Sequence, residues 1–279
     1  MNKVVLSVVA GAFALAAAPA FAADMPVKAP PAPVVAPSPW DIAFGTALTT
    51  DYELRGISQT NHKPAVQGYF EIDYTATDWL KLYAGIWGSN VAFADAEFDI
   101  SGGARFSWGN FGLDLGFVYY EYPSPGALNG AGGYDPTGNI SYGEFYAKPS
   151  YKLTDWLTIG ATVIGGDNFG NSGSSAIYYE GNATVALPAV LPYGIASSIS
   201  GGVGRQTYDS ALGLTDYTTW NVGIAFNYKA VTLDLRYWDT NVDWTSAPQC
   251  ATDAVLSVDN CDARFVATLK FDTTLSALK

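Results

Sequence analysis

The chain has 279 residues, with 14 Lys and Arg against 26 Asp and Glu, and its formal net charge of −12 excludes nucleic-acid binding by phosphate neutralisation. Only 14% of residues are charged, while Gly, Tyr, Trp, Phe and Thr are abundant and no stretch sustains an i, i+3, i+4, i+7 stripe. That composition excludes a helical bundle and points to β structure.

The first element is a leader. Asn2 and Lys3 precede the apolar run VVLSVVAGAFALAAA, and Ala20 and Ala22 place small residues at the −3 and −1 positions. Residues 1–22 therefore read as a secretory signal peptide cleaved after Ala22; as a membrane anchor the run is short and ends in a cleavage site. Losing Lys3 with it leaves 13 basic residues against 26 acidic, a net charge of −13. Residues 23–39 carry Pro at 26, 30, 31, 33, 37 and 39, so they favour extended polyproline geometry and read as a periplasmic spacer. From Trp40 about 240 residues remain, enough for one large domain, and none of its stretches approaches the ~18 consecutive apolar residues of a spanning helix.

Period-2 alternation predicts twelve strands, near 40–52, 65–74, 79–89, 96–106, 111–120, 141–153, 156–165, 175–187, 193–204, 217–228, 231–239 and 263–271. In the third, Leu80, Leu82, Ala84 and Ile86 share one face and Lys81, Tyr83 and Gly85 the other. In the eleventh, Val231, Leu233, Leu235 and Tyr237 oppose Thr232, Asp234, Arg236 and Trp238. In these strands the apolar face from Leu80 to Ile86 and from Val231 to Tyr237 carries no charge, as either a soluble barrel interior or a lipid-facing surface requires. Connection lengths separate the two. Short links (TATD, SWGN, TD, PAVLP, KA) alternate with long ones such as PSPGALNGAGGYDPTGN, as they do when one rim faces the periplasm and the other the exterior. TDWL recurs at Thr77–Leu80 and Thr154–Leu157, placing Trp79 and Trp156 where an aromatic girdle would lie. The last strand ends in Phe271, and residues 272–279 follow as a tail. The expected fold is an all-β, closed antiparallel transmembrane barrel over residues 40–271, with short periplasmic turns and longer extracellular loops.

Parity then directs the polar side chains. Thr49, Asp51, Glu53 and Arg55 continue the inward face of the first strand toward the outer mouth, and Gln67, Tyr69, Glu71 and Asp73 line the second, with Arg55 roughly opposite Gln67. The stretches TTDYELRGISQT, PAVQGYFEIDY and LYAGIWGSNVAF resemble the N-terminal hallmark of the Gcw_chp family, whose members are described as TorF-type porins. The resemblance is dense over residues 44–106 and continues as barrel patterning to Phe271. It implies an outer-membrane barrel with a porin role, and carries over Asp51, Arg55, Gly56, Ser58, Gln59, Pro64, Gln67, Gly68, Trp87, Ser89 and Asn90 with no catalytic function. The Pro-rich start departs from the family pattern.

Chemistry beyond permeation has little support in the residues. The one histidine, His62, falls in a surface turn near Ser58 and Asn61, where the solvated-loop reading outweighs a catalytic one. Inward carboxylates at Glu71, Asp73, Glu97, Asp99, Asp114, Glu144, Glu180 and Asp234 alternate with Lys81, Arg105, Lys148, Arg236, Arg264 and Lys270. Ion pairing across strands explains most of them individually, and a charged constriction explains them as a set. Cys250 and Cys261, in an exported chain, are expected to form a disulfide. The last loop carries Asp239, Asp243, Asp253, Asp259 and Asp262 without Lys or Arg, which reads as a solvated acidic rim first and as a cation-bridged contact to lipopolysaccharide second. The glycine clusters GGDNFGNSG and GGVGR open no phosphate-cradling helix.

These readings converge on a non-enzymatic outer-membrane channel of a Gram-negative envelope, without cofactor or metal. It passes small hydrophilic solutes or ions with weak cation preference and contacts lipid and lipopolysaccharide. Its expected pore-lining residues are Asp51, Glu53, Arg55, Gln67, Glu71, Asp73, Lys81, Glu97, Asp99, Arg105 and Arg236. The alternative is a closed structural barrel that conducts nothing.

Overall fold

A computed structural model describes residues 38–124, 138–251 and 258–278. The leader at 1–22, nearly all of the spacer and Asp253 lie outside them. Twelve strands form the wall: β1 (Trp40–Thr49), β4 (Ala65–Thr77), β5 (Leu80–Ser89), β6 (Glu97–Trp108), β7 (Phe111–Glu121), β8 (Tyr142–Lys152), β9 (Leu157–Gly166), β10 (Ala176–Ala186), β11 (Ala196–Tyr208), β12 (Tyr217–Tyr228), β13 (Val231–Thr240) and β14 (Arg264–Thr274). Two further short strands, β2 (Glu53–Leu54) and β3 (Ile57–Ser58), stand apart from it. Each wall strand pairs antiparallel with its neighbours in sequence, and β1 closes on β14 through Ala43↔Thr274 to Thr49↔Thr268. Closure leaves no strand edge whose backbone groups would sit unpaired in lipid.

The barrel is inside-out relative to a soluble protein. Leu48, Val66, Phe70, Ile72, Ile86, Ile100, Phe117, Val163, Val222, Leu235 and Leu269 are all exposed, and each lies on the outward parity of its strand. Charged side chains on that parity are confined to the strand ends, at Glu121, Arg205 and Asp239. A charge at mid-depth would cost roughly 2–4 kcal/mol, which accounts for the clean band. No helix among the described residues is long and apolar enough to cross a membrane. The chain crosses with strands.

The two rims differ as the connection lengths anticipate. At one end Asp78–Trp79, Gly109–Asn110 and Lys229–Ala230 are two-residue turns; at the other, segments 50–64, 122–141 and 241–263 are long. Trp79 stacks on Trp108 and Phe106 at centroid separations of 6.0 and 6.3 Å beside the short turns, a girdle at the periplasmic interface.

Strand bounds differ from the sequence reading by up to four residues: the ninth strand, expected over 193–204, runs Ala196–Tyr208 and leaves segment 187–195 as a longer link at the short-turn rim. Two further shifts, in the first and last strands, bear on the lumen and its seam. The first strand was expected to run to residue 52 but leaves the wall at Thr49, whose hydroxyl donates to the Asp51 carbonyl at 2.7 Å. The last strand continues past Phe271 to Thr274. The chain then makes one 3-10 turn, Ser276–Leu278, held by Ser276 hydrogen bonds to the Asp41 carboxylate, so this part of the tail seals the seam with β1.

Candidate functional site

The candidate site is the lumen, which has three parts. The first is a stopper at the outer mouth. The Ser58 and Thr60 hydroxyls both donate to Asp51 Oδ1, at 2.6 and 2.7 Å, and fold the chain back on itself just beyond β1. Between them β2 and β3 pair as a minimal hairpin, Glu53↔Ser58 and Leu54↔Ile57. Its two-residue turn has φ of 54° at Arg55 and 83° at Gly56, the doubly positive pattern of a type I′ turn.

The hairpin tip crosses the bore. Arg55 donates through Nη1 to Gln206 on β11 at 3.0 Å and to Glu144 on β8 at 3.2 Å, with its other Nη on the second Glu144 oxygen. Tyr217 on β12 donates its hydroxyl to the Arg55 carbonyl at 3.0 Å, and Tyr52 donates to Glu97 on β6 at 3.3 Å. Arg264 at the start of β14 bonds Glu53 at 2.9 Å and lies 3.6 Å from Asp51. Glu144, Gln206, Tyr217 and Glu97 are consequently sealed from solvent. Burial pushes the Glu53 carboxyl up to about 8 despite the opposing Arg264 guanidinium, with the Asp51 charge adding to the rise.

This corrects one expectation. Arg55 does not stand opposite Gln67 in a ring on the wall. Gln67 remains on β4, 3.5 Å from the Ser89 hydroxyl, while the Asp51–Ser58–Thr60 hydrogen bonds carry Arg55 inward to the far side. Its partners Gln206 and Tyr217 were not anticipated, because nothing local links them to residue 55. The dipeptide Arg-Gly between Leu54 and Ile57 was the available signal for a two-residue hairpin turn. His62 lies exposed in the turn that follows the hairpin, donating its backbone N–H to Ser58 Oγ at 3.0 Å.

The second part is a charge cluster on the β4–β8 wall. Arg105 grips Glu71 with two bonds of 2.6 and 2.8 Å, lies 3.4 Å from both Asp73 and Asp114, and covers the Tyr83 ring at 3.8 Å. Lys81 reaches Asp73 at 3.4 Å. Tyr83 donates to Asp114 at 2.6 Å and meets the Tyr146 hydroxyl, over whose ring Lys148 sits at 4.4 Å. Nearer the stopper on the same strand as Arg105, Glu97 and Asp99 are two residues apart. Each has one buried oxygen with no hydrogen-bond partner among the described residues. The third part, on the opposite wall, centres on Arg236, which bonds Asp234, Asn221 and Ser200.

Below the stopper several inward side chains reach solvent. Arg105 and Lys81 side chains are 37% and 42% exposed against 0% for Glu144, and Lys148, Lys270 and Asp272 are exposed as well. Glycines keep the bore from filling: a Cβ at Gly45 or Gly103 would stand 2.6 Å from Tyr69 or Tyr83, and one at Gly116 would stand 2.5 Å from Tyr146. These rings lie along the wall where a side chain would have pushed them across the lumen. At the mouth, Cys250 and Cys261 are joined as a disulfide that packs against Ile57 of the hairpin, beside Tyr217 and Ala247.

The sequence profile of the Gcw_chp family, described as a bacterial protein of unknown function, matches residues 34–270. No curated protein matches the chain. Among solved structures it is similar to an outer-membrane channel from Pseudomonas putida F1, with 13% identity over 86% of this chain and 97% of that one at a TM-score of 0.45. The NanC porin shares 8% identity over 84% of this chain and 98% of its own, at 0.43. LpxR from Salmonella typhimurium shares 10% over 82% and 99%, at 0.39. At such identities and scores nothing about activity transfers from these proteins.

Proposed function

The chain belongs to the Gcw_chp family, and we propose that it is a passive, non-enzymatic outer-membrane channel for small hydrophilic solutes or ions, with a weak preference for cations. One observation carries this reading: a closed barrel with an apolar exterior encloses a charge-lined lumen in which the Lys81, Arg105, Lys148 and Lys270 side chains reach solvent below the hairpin. Residues 1–22 direct export, and 23–39 act as a spacer on the periplasmic side. Asp51, Glu53, Arg55, Glu97 and Asp99 form the constriction at the outer mouth. Gln67, Glu71, Asp73, Lys81, Arg105 and Arg236 line the path. The acidic outer loop meets lipopolysaccharide through bridging divalent cations.

The competing reading, a closed structural barrel, is favoured by the same hairpin, which fills the outer mouth and ties strands β6 to β14 across it. Single-channel recording in a planar bilayer separates the two, using mature protein refolded as wild type, Arg55→Ala, and a form in which residues 50–64 are replaced by a short turn. Removing Arg55 strands Glu144 as an unpaired buried charge, a loss of about 3–5 kcal/mol from the docked hairpin. Larger or longer conductance steps in both variants are expected of a channel. Silence from all three folded barrels would leave the structural reading.

A further inference from the structure

The wall from β10 to β13 holds a cavity of about 260 Å³ that the constriction does not use, lined by Glu180, Asn182, Ser200, Asn221, Arg236 and Trp238 among others. Its position is set by register. Asn221 and Trp238 are paired across β12 and β13, two residues deeper than Thr219 and Thr240, the pair against which Gly56 of the hairpin packs. A solute in the lumen would meet this cavity directly beneath the stopper.

The polar groups are held in place by one another. Arg236 donates to Asn221 Oδ1 at 2.6 Å, to Ser200 Oγ at 2.8 Å and to both oxygens of Asp234 at 3.1 and 3.0 Å. Glu180 accepts from Tyr178 at 2.8 Å on one oxygen and from Asn182 at 3.1 Å on the other. Glycines sit under both charged groups. A Cβ at Gly202 would stand 3.0 Å from the Glu180 carboxyl carbon, and one at Gly223 would stand 3.0 Å from the Arg236 guanidinium carbon. Without side chains there, the two heads lie back against the wall and leave the space between them open.

What remains available defines the ligand. A carboxylate has about four lone-pair sites, and Glu180 uses two of them on these partners. Asn182 spends an N–H and keeps its carbonyl; Asn221 and Ser200 spend acceptors and keep donors. The cavity therefore offers acceptors on the β10 side and donors on the β11–β12 side, with the Trp238 indole in its lining. Hydroxyl groups both donate and accept, and a ring bearing several of them on an apolar face matches that mixture. An anion is a poor match, because Asp234 already neutralises Arg236 and Glu180 would face the incoming charge. Lying just under the ~300 Å³ lower end of ligand pockets, the cavity admits about a single ring.

We infer that this cavity is a binding site for a neutral polyhydroxylated solute, a monosaccharide or cyclic polyol, with Trp238 as the stacking platform and Glu180, Asn182, Asn221 and Ser200 as hydroxyl partners. The inference rests on the channel reading, since the solute reaches the site through the lumen. It makes the protein a channel that retains its solute briefly in transit.

Isothermal titration of the folded mature protein in detergent, with glucose and glucuronate as probes, tests it alongside the conductance measurement. Glucose is expected to bind, with glucuronate weaker by about tenfold or more. Glu180→Gln and Trp238→Ala should each weaken glucose by about tenfold, and Trp238→Phe, which keeps an aromatic face, should retain most of the affinity. Heat-modifiable migration verifies that each variant is folded. The inference is overturned if a conducting barrel gives no heat with glucose, if glucuronate binds as well as glucose, or if Trp238→Ala leaves glucose binding unchanged. Glucose binding that is lost in Trp238→Ala, in a barrel that never conducts, would uphold the site while ending the channel reading.

Discussion

At Gly56 the backbone adopts φ +83° and a Cβ would run into the Thr219 side chain, with Thr240 Cγ2 only 3.0 Å away. Any other residue there is strained twice, by conformation and by contact, and the conformational part alone is about 1 kcal/mol or more. Gly56→Ala should therefore lift the hairpin out of the lumen without touching the wall. Trypsin reports this, since it can cut after Arg55 only when Arg55 leaves Glu144 and Gln206. The folded variant is expected to be clipped there while the wild type resists, and equal resistance would mean the hairpin is not seated by this glycine. Glu53 gives a second handle. Its carboxyl, pushed up to about 8 in the docked hairpin, has an ordinary value of 4.5, so the docked state holds the proton more tightly than the free one. Docking is thus firm below about pH 4.5 and weakens as pH rises toward 8, by up to about 1.4 kcal/mol per unit. Conductance should be larger at pH 8.5 than at pH 5, and Glu53→Gln should flatten that dependence. A conductance that rises on acidification would contradict the assignment.

The hairpin is braced from behind by the last outer segment, 241–263. Ser58 N–H donates to the Asn260 carbonyl at 2.9 Å, the Thr240 hydroxyl donates to the Cys261 carbonyl at 3.0 Å, and the Cys250–Cys261 disulfide packs on Ile57. The bridge closes a loop with a sequence separation of 11, worth about 3 kcal/mol in the chain-entropy view. Reducing it with dithiothreitol should loosen segment and hairpin together, seen as tryptic cleavage after Arg55 and larger conductance steps, while the wall keeps its heat-modifiable migration. If reduction changes neither, the brace is carried by the hydrogen bonds alone. The wall strands were legible in the sequence because ten or more residues of strict alternation leave a strong period, and because short and long connections alternate around the barrel. The hairpin was not. β2 and β3 are two residues each, too short for any period, and Thr49, Asp51, Glu53 and Arg55 keep the parity of β1, so the first strand reads straight through to residue 52. What breaks it is a side-chain box, Asp51 with Ser58 and Thr60, formed only after the chain has turned.

For the whole molecule, the same alternation that fixes the lipid face also sorts the charged side chains onto the other face, and it carries no information on how they are screened. The wall contributes Glu71, Asp73, Glu97, Asp99, Asp114, Glu144, Glu180 and Asp234 against Lys81, Arg105, Lys148, Arg236, Arg264 and Lys270, and the hairpin adds Asp51 against Arg55, with Glu53 joining Asp51 only as pH rises toward 8. Parity could supply that inventory. It could not supply the pairing, which places Glu144 on a residue 89 positions away and gathers three carboxylates around Arg105. Acidic groups still outnumber basic ones, and the outer rim adds Asp239, Asp243, Asp259 and Asp262. A permeating cation therefore meets a favourable potential at the mouth and along the path. In a potassium chloride gradient the reversal potential should carry the sign of potassium, and a chloride-selective barrel would refute the charge argument. Salt then separates the two sources. The Debye length falls from about 10 Å at 0.1 M to about 3 Å at 1 M, so a preference set by the open rim should nearly vanish at the higher concentration. A preference set by the narrow lumen, where paired and half-buried charges face the ion at contact distance, should survive it. Since Glu71, Asp73 and Asp114 gather around a solvent-reaching Arg105 on the wall below the hairpin, survival is the expected result, together with a loss of selectivity in Glu71→Gln that no rim substitution reproduces.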